Sequence, residues 1–317
     1  MTGDPKRGRA ATTRPPSGSQ FEIRHGDQRA VAVEVGGGLR WYEKAGRPLL
    51  LGYPENEPAR ASMGLPLVPW PNRIRDGRYT FQGRELETPI TEPERHNAIH
   101  GLGISASWNP LEQRSDSVTL STLIEPRPGY PFRLACSVTY SLSDRGLDCE
   151  LGFENRGEGP LPVGAGHHPY LHPGDPPADR WRLRLPASRR LEADERMIPT
   201  GRELDLAGTE FDFREEREVG PVMLDTAYSG LDAGPDGLVR ATVAAPGGAR
   251  LTLRMSADTT HVMVYTGEAL GRAGLAVEPM SCPPNAFQTG KDVRVLEPGQ
   301  RWTFGWGIEI QGFRADR

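Results

Sequence analysis

Residues 132–153 decide the fold: Phe132-Arg-Leu-Ala-Cys-Ser-Val-Thr-Tyr-Ser-Leu-Ser-Asp-Arg-Gly-Leu-Asp-Cys-Glu-Leu-Gly-Phe153. Up to Leu142 the apolar side chains fall on even-numbered positions, and after the turn Ser143-Asp-Arg-Gly146 they fall on odd-numbered positions. Successive side chains of a strand point to opposite faces, so each run presents one apolar face. Two such runs joined by a polar turn are typical of a β-hairpin. The stretch therefore predicts two antiparallel strands with one buried face.

The same alternation returns near both ends of the chain. Three further segments show it: Val31, Val33 and Val35; Leu251, Leu253 and Met255; and Trp302, Phe304, Trp306, Ile308 and Ile310. Gly (38) and Pro (30) are spread along the sequence, which favours short elements and tight turns over long helices. No polar linker separates the alternating segments. We therefore predict one all-β domain over residues 20–317, built as a large antiparallel β-sandwich.

The N-terminal residues and the overall composition limit the classes of function. Residues 1–19 are mostly Pro, Gly, Ser, Thr, Arg and Lys, which predicts a disordered tail. The net charge of −4 gives no reason to expect a nucleic acid or an anionic membrane as partner. No apolar stretch is long enough for a membrane span or a secretory signal. The three cysteines, Cys136, Cys149 and Cys282, lack metal-binding spacing, so we expect them to be reduced thiols in a cytoplasmic protein. We further expect a monomer or a homodimer.

Glu278 is the acidic residue that the sequence singles out. It follows the apolar run Leu275-Ala-Val277 and precedes Pro279, in the segment Glu278-Pro-Met-Ser-Cys-Pro-Pro-Asn-Ala-Phe287. A carboxylate that enters a buried stretch is costly unless it is paired or functional. Glu278 is therefore a candidate catalytic base.

Two groups of histidines are candidates for acid catalysis, ligand binding or a structural role. In Gly166-His-His-Pro-Tyr170 the proline holds His168 in an extended conformation, which suits an acid at a strand end. His96 and His100 lie four residues apart, but no Glu follows the first and Pro93 precedes it, so a zinc helix is not indicated. We predict no metal site. His100 remains a candidate ligand contact or a loop histidine held by hydrogen bonds.

Three other polar residues lie in segments that a ligand could contact. Arg73 follows Asn72 in a Pro-rich loop, where its fixed fork of donors could hold hydroxyl groups or, alternatively, form a structural ion pair. Asp225 lies in Leu224-Asp-Thr226, where it could bind a ligand or simply cap a turn.

Taken in order, these segments resemble the aldose 1-epimerase (galactose mutarotase) family. Five segments carry the resemblance, from about Phe21 to Phe313: Asn72-Arg-Ile74, Asn97-Ala-Ile-His-Gly101, His168-Pro-Tyr170, Leu224-Asp-Thr226 and Val277-Glu-Pro279. The sequences around His100 and Glu278 are most similar to those of a bacterial branch of the family that includes sulfoquinovose mutarotase. Leu102 and Met280 depart from the galactose type, which leaves the sugar open.

The resemblance implies a galactose mutarotase-like supersandwich that needs no cofactor and interconverts the α and β anomers of an aldose. Glu278 would take the O1 proton while His168 protonates the ring oxygen. His100, Arg73, Asp225 and Asn72 would bind the substrate. Two alternatives stay open: a mutarotase for a hexose 6-phosphate or sulfonated sugar, for which Arg75, Arg95 and Arg133 are available cations, and a non-catalytic carbohydrate-binding sandwich.

Overall fold

Strands account for most of the secondary structure. The computed structural model describes residues 14–175 and 177–312, which form 27 strands, one α-helix and four 3-10 helices. The α-helix, α1, is Ala286–Thr289, and the 3-10 helices are Pro93–Arg95, Gly103–Ser105, Ala178–Arg180 and Glu268–Leu270. In the described part of the chain, no helix has the length and hydropathy needed to cross a bilayer.

In chain order the strands are β1 (Gln20–His25), β2 (Gln28–Val33), β3 (Leu39–Lys44), β4 (Arg47–Pro48), β5 (Pro66–Leu67), β6 (Arg73–Arg75), β7 (Arg78–Phe81), β8 (Arg84–Glu87), β9 (Asn97–Ile99), β10 (Asn109–Gln113), β11 (Ser117–Ile124), β12 (Leu134–Ser143), β13 (Gly146–Asn155), β14 (Leu161–Val163), β15 (Gly166–His167), β16 (Tyr170–Leu171), β17 (Arg182–Arg184), β18 (Ala187–Ala193), β19 (Pro199–Asp205), β20 (Arg217–Glu218), β21 (Asp225–Leu231), β22 (Val239–Ala244), β23 (Arg250–Met255), β24 (His261–Tyr265), β25 (Leu275–Met280), β26 (Arg294–Leu296) and β27 (Arg301–Gln311).

Two large antiparallel sheets form the body of the molecule. A nine-stranded sheet has the order β10-β11-β12-β13-β27-β23-β22-β17-β20. An eight-stranded sheet has the order β19-β18-β21-β24-β25-β15-β5, with β16 also paired to β25. Residues from both sheets, such as Leu151 and Val264, belong to one buried apolar cluster. The predicted all-β sandwich is therefore confirmed.

The predicted hairpin forms the centre of the nine-stranded sheet. Strands β12 and β13 pair with Val138 opposite Leu151 and with Ser143 opposite Gly146, on either side of the expected turn. From Leu134 to Phe153 the side chains predicted to face inward are buried, including Tyr140, which is fully inaccessible, whereas Phe132 precedes β12 and is only partly buried. The strand β27, from the C-terminal end of the described chain, pairs with β13. Strands that are far apart in sequence are thus neighbours at the centre of this sheet.

One alternating segment is shorter than its pattern. Val31 and Val33 are buried in β2, but the strand ends at Val33 and Val35 is 36% exposed. Gly36 and Gly37 follow, both with positive φ, and an added Cβ at Gly37 would lie 2.6 Å from the Trp108 ring. The chain turns here because glycine allows this close approach.

The predicted N-terminal tail lies largely outside the described residues. Its last six residues, 14–19, are described, and Ser17 is buried. The carbonyl of Ser17 accepts a hydrogen bond from the Val35 amide at 2.9 Å, and the Ser19 carbonyl accepts one from the Glu34 amide at 3.0 Å. Contacts with the folded body therefore begin before Gln20, where the sequence placed the domain boundary.

The eight-stranded sheet turns one face to the core and the other to a set of loops and short strands. On β25, Leu275 and Val277 belong to the core between the two sheets. Ala276 and Met280 belong instead to two small apolar clusters on the opposite face. Because side chains alternate along a strand, Glu278 lies on that opposite face, between Ala276 and Met280.

Candidate active site

The carboxylate of Glu278 sits in a nearly dry environment. Its strand pairs with β24, so that Glu278 is directly opposite Met263. Only 2% of its side chain is accessible to solvent, and Oε2 has no hydrogen-bond partner among the described residues. An unsatisfied buried carboxylate oxygen costs free energy, which indicates a functional group. The sequence prediction of a costly buried carboxylate agrees with this position.

His168 contacts Glu278 directly. The imidazole Nε2 lies 3.3 Å from Glu278 Oε1. The His168 backbone is held in the sheet edge by two hydrogen bonds, in which its amide donates to Leu65 O at 3.1 Å and its carbonyl accepts from the Gly64 amide at 2.9 Å. The ring also stacks on Tyr170, with centroids 4.9 Å apart and planes 15° apart. Backbone and ring contacts together fix the imidazole against the carboxylate.

His100 approaches the same point from a different loop. Its ring lies edge-on to His168, with centroids 5.4 Å apart. The His100 backbone is left-handed (φ 63°), and its amide donates to Asn72 O at 2.9 Å. Gly101 follows with φ 76°, where a Cβ would lie 2.1 Å from Val68 O. Strained backbone of this kind is often found at functional sites, and here it aims the His100 ring at the pair.

Arg73 is buried in an ion pair, the alternative role that the sequence left open, with a partner that the sequence did not reveal. Its Nε lies 2.9 Å from Glu92 Oε2 and its Nη2 lies 2.8 Å from Glu92 Oε1. Both side chains are only 7% exposed. Glu92 lies 19 positions along the chain in a loop without periodicity, so no sequence pattern pointed to it.

Asn72 shapes the loop that carries Arg73. Its backbone is left-handed (φ 55°), a conformation that asparagine tolerates better than most residues. Its side-chain Oδ1 accepts a hydrogen bond from the Arg73 amide at 3.0 Å. The Asn72 carboxamide oxygen is therefore already engaged within the loop.

Asp225 borders a small cavity on the same face of the sheet. It begins β21 opposite Tyr265, and its carboxylate has no hydrogen-bond partner among the described residues. The cavity, of about 190 Å³, has mostly apolar walls: Leu191, Ala193, Met197, Pro199, Ala227, Met263 and Pro284, together with Arg190, Asp225 and Thr226. Met263 is common to this cavity and to the neighbourhood of Glu278, so the cavity continues the site sideways along the sheet.

Burial shifts the titration of the central groups. It raises the pKa of Glu278 well above its ordinary value; the Asp225 charge adds to this and the Arg73 charge opposes it. Burial lowers the pKa of His168 to about 3, and it lowers the pKa of His100 well below the ordinary range. Burial also raises the pKa of Asp225, against the opposing charge of Arg73. The dry site therefore disfavours separated charges on Glu278 and His168.

The other histidines of the two sequence clusters lie away from this point. His167 faces the core, where its Nε2 lies 3.0 Å from the Tyr140 hydroxyl. His172 packs edge-on to Trp181, and His96 contacts Asp76 at 2.9 Å on the surface. In residues 14–175 and 177–312, no three His, Cys, Asp or Glu side chains are grouped so that they could hold a metal ion.

The three arginines that sequence analysis counted as available cations all contact carboxylates. Arg75 pairs with Asp194, Arg95 with Glu92 at 3.1 Å, and Arg133 with Glu125 at 3.1 Å. Arg133 directly precedes β12 and lines a concavity on the outer face of the nine-stranded sheet. The charge of Arg95 lowers the pKa of Asp225, and the Arg95 carbonyl accepts a hydrogen bond from Arg196, between β18 and β19, at 2.9 Å.

The hairpin β18–β19 forms one wall of the cavity, and Arg196 at its tip makes hydrogen bonds to the segment before β9 and to Asp76. Arg196 Nε donates to Arg95 O at 2.9 Å, and its Nη2 donates to His96 O at 2.7 Å and to Asp76 Oδ1 at 2.8 Å. The Asn97 carboxamide returns a hydrogen bond to Arg196 O at 3.0 Å. The tip is thus joined to the segment that leads into β9 and His100.

Comparison with known proteins gives the same family from sequence and from structure. The family model for aldose 1-epimerase matches residues 19–309. The Escherichia coli (strain K12) protein YihR is 38% identical over 289 residues, which cover 90% of this chain and 91% of YihR. The galactose mutarotase of Mus musculus is 26% identical over 257 residues, 73% of each chain.

Solved structures of similar proteins share the fold. A GalM/aldose epimerase homologue from C. elegans superposes with a TM-score of 0.82 at 20% identity, covering 93% of this chain and 99% of that one. The galactose 1-epimerase from Lactobacillus acidophilus NCFM gives a TM-score of 0.78 at 18% identity, covering 95% and 97%. With the family match across residues 19–309, these results show that the chain belongs to the aldose 1-epimerase family and is an isomerase of that class.

Proposed function

We propose that the protein exchanges the α and β anomers of a hexose, with Glu278 as the base and His168 as the acid. The contact of 3.3 Å between His168 Nε2 and Glu278 Oε1 is the observation that carries this assignment. The hydroxyl that loses a proton and the ring oxygen that gains one are both attached to C1. The groups that serve them must therefore be a few ångströms apart, as these two are.

The reaction then balances with proton transfers alone. The shared proton first passes from Glu278 to His168 across their contact; Glu278, now the carboxylate, takes the proton from the C1 hydroxyl, while protonated His168 gives its proton to the ring oxygen and the C1–O5 bond breaks. The open aldehyde rotates about C1–C2. Closure reverses the transfers: His168 takes the proton from the C5 hydroxyl and Glu278 returns one to the carbonyl oxygen, on the other face of C1.

The burial of the pair favours both transfers. A dry site makes an ionised carboxylate a stronger base and a protonated imidazole a stronger acid, because each transfer removes a charge that water does not stabilise. The raised pKa of Glu278 and the lowered pKa of His168 follow this direction. The pair carries one proton overall, and the sugar moves it from one partner to the other.

The remaining residues bind the sugar in this proposal. Arg73 Nη1 has no protein hydrogen-bond partner within the described residues, and it supplies donors to hydroxyl oxygens. His100 contacts the ring-oxygen side next to His168. Asp225 accepts from hydroxyl groups at the cavity end, and Asn72 supports Arg73 from the loop while offering its amide nitrogen.

The identity of the hexose is the finer part of the proposal. Two similar proteins are named for galactose, the mouse galactose mutarotase and the Lactobacillus galactose 1-epimerase, which makes a neutral hexose the first candidate. An anionic hexose, phosphorylated or sulfonated, is the second candidate. The observation that favours it is Arg95, whose side chain is 38% exposed and whose charge lowers the pKa of Asp225.

We also propose that the enzyme works in the cytoplasm, as a monomer or homodimer. Cys136, Cys149 and Cys282 are all buried free thiols, which is the form expected in a reducing compartment. Cell fractionation tests the location. Light scattering coupled to gel filtration measures the mass of the particle against the 34.8 kDa chain.

Polarimetry of freshly dissolved α-anomers tests the activity and the sugar together. The panel is glucose, galactose, glucose 6-phosphate and sulfoquinovose, each corrected for the spontaneous rate. We expect exchange well above background for at least one sugar. The matched control is Glu278→Gln, which keeps the shape and the hydrogen-bonding oxygen but cannot act as a base. Its turnover at saturating sugar should fall at least ~100-fold, the low end for general-base catalysis.

The outcomes separate the alternatives. Sugar binding, measured by calorimetry, without exchange in the wild-type protein would indicate a carbohydrate-binding sandwich and contradict the proposed reaction. A well-folded Glu278→Gln variant with near-normal turnover would remove Glu278 from the role of base.

A further inference from the structure

Glu92 receives hydrogen bonds from three side chains next to the catalytic pair. Arg73 contributes Nε and Nη2, Asn97 Nδ2 donates to Oε2 at 2.8 Å, and Arg95 Nη1 donates to Oε1 at 3.1 Å. Burial alone would raise the pKa of Glu92, but the hydrogen bonds from Arg73 and Asn97 hold it below its ordinary value. Glu92 is therefore an ionised, buried and fully engaged carboxylate.

The bidentate contact with Glu92 fixes the orientation of the Arg73 guanidinium. A guanidinium is planar and rigid, so fixing Nε and Nη2 on one carboxylate also fixes the direction of Nη1. The backbone holds the same residue from both sides, since the Arg73 amide donates to Asn72 Oδ1 and the Arg73 carbonyl accepts from the Asn285 amide at 2.6 Å. Side chain and backbone together leave Arg73 little freedom.

Arg73 also belongs to the electrostatic surroundings of the base. The charged and titratable groups around Glu278 are these: His168 between β15 and β16, Tyr170 on β16, His100 after β9, Arg73 on β6 and Asp225 on β21. The Arg73 charge favours the ionised form of Glu278. The negative charge of Glu92, which is bound to the same guanidinium, opposes this influence.

We propose that Glu92 is a positioning residue for anomer exchange: it aims Arg73 Nη1 at the sugar and limits the positive charge that the catalytic base experiences. The proposal rests on the proposed function, because it acts through a sugar contact by Arg73. A salt bridge with only a structural role would stabilise the loop without affecting sugar binding or the base.

The test is the variant Glu92→Gln, assayed for anomer exchange on the best sugar of the panel. The neutral carboxamide has only one oxygen, so it cannot accept from both Nε and Nη2 of the guanidinium, and Nη1 loses its fixed direction. We expect KM to rise ~10-fold, the size of a lost hydrogen bond to a charged group, with kcat within ~3-fold of wild type. Such a split is expected when a contact is made equally in the ground and transition states.

The pH dependence of kcat/KM gives a second readout. Loss of the Glu92 charge leaves Arg73 uncompensated, which favours the less protonated form of the Glu278–His168 pair. Both limbs of the profile should therefore move to lower pH, by about 0.5–1 unit. Glu92→Asp keeps the charge but shortens the side chain, so it should raise KM while leaving the limbs in place. This second variant also provides the test if Glu92→Gln does not fold.

Two controls separate positioning from stability. Glu34→Gln removes another buried carboxylate, which binds Ser107 at 2.6 Å and has no hydrogen bond to Glu278 or His168 within the described residues, and it should lower the melting temperature without moving KM or the pH limbs. In an Arg73→Ala background, Glu92→Gln should change kcat/KM by less than ~2-fold, because the residue through which it acts is gone.

Two results would overturn the proposal. One is a Glu92→Gln or Glu92→Asp protein with a lowered melting temperature but wild-type KM and pH limbs. The other is an undiminished effect of Glu92→Gln in the Arg73→Ala background. An inactive wild-type protein would instead contradict the proposed function, so the two failures are distinguishable.

Discussion

At the scale of single residues, the site is a pair of titratable groups that share one proton. Glu278 and His168 would titrate near their ordinary values if they were exposed, but both are almost completely buried. Coupled groups of this kind titrate as a pair, so the pH profile reports two values that belong to the pair. In the proposed mechanism, activity requires one proton on the pair, and it is lost when a second proton binds or when the last one leaves.

The first prediction concerns the acid limb of that profile. Because burial lowers the pKa of His168 to about 3, the second proton binds only in strongly acidic solution. The acid limb of kcat/KM should therefore lie clearly below pH 6.5, the ordinary histidine value. Polarimetry from pH 4 to 9, corrected for the spontaneous rate at each pH, measures the limb. A midpoint at or above 6.5 would show that the pair does not rest in a dry, uncharged form.

At the scale of elements, the site depends on loops and a hairpin that are attached to one rigid sheet. Strand β25 supplies Glu278, the β15–β16 edge supplies His168, and β6 and β9 supply Arg73 and His100. The hairpin β18–β19 closes the cavity beside Asp225, and Arg196 ties its tip to the segment before β9. Loosening this tie should disturb binding more than chemistry, since the catalytic pair is held by other elements.

The second prediction follows from that tie. Arg196→Met keeps most of the length of the side chain but removes its hydrogen bonds to two carbonyls and Asp76. KM should rise about 3- to 10-fold, in line with one or two lost hydrogen bonds, while kcat changes little. The matched control is Arg202→Met, on the same hairpin, where the exposed Arg202 side chain pairs with half-buried Glu192. If the two variants have the same KM, the tip does not shape the binding site.

At the scale of the whole molecule, sequence periodicity predicted the sandwich because each strand buries one face. The β12–β13 hairpin, β23 and β27 all follow alternation that is visible without a structure, and Glu278 was indicated by the cost of burying a charge. The partner of Arg73 was not predictable. Glu92 reaches it through a loop whose path depends on the left-handed residue His96, and on the register between β6 and β9.

The sandwich buries several histidines between or beside its sheets, and this makes its stability depend on pH. His167 is fully buried between the sheets, with Nε2 3.0 Å from the Tyr140 hydroxyl and its ring 4.7 Å from Trp306. Burial lowers the pKa of His167 to about 3, so the fold keeps it neutral. The unfolded chain protonates it near 6.5, and the unfolded state then binds more protons. The contribution is fully present above pH 6.5 and is lost as pH falls toward about 3.

The last prediction is that His167→Gln flattens this dependence. Glutamine can still donate a hydrogen bond to Tyr140 but lacks the ring that packs against Trp306, so the variant should be less stable than wild type at pH 7. Because glutamine does not titrate, the free energy of unfolding of the variant should fall less on acidification. The difference should close by up to ~1.4 kcal/mol per pH unit below 6.5. Denaturant unfolding at pH 7, 6, 5 and 4 measures it, with the surface variant His25→Gln as control. Parallel stability curves for His167→Gln and wild type would show that another buried group, such as His261, dominates the acid sensitivity of the fold.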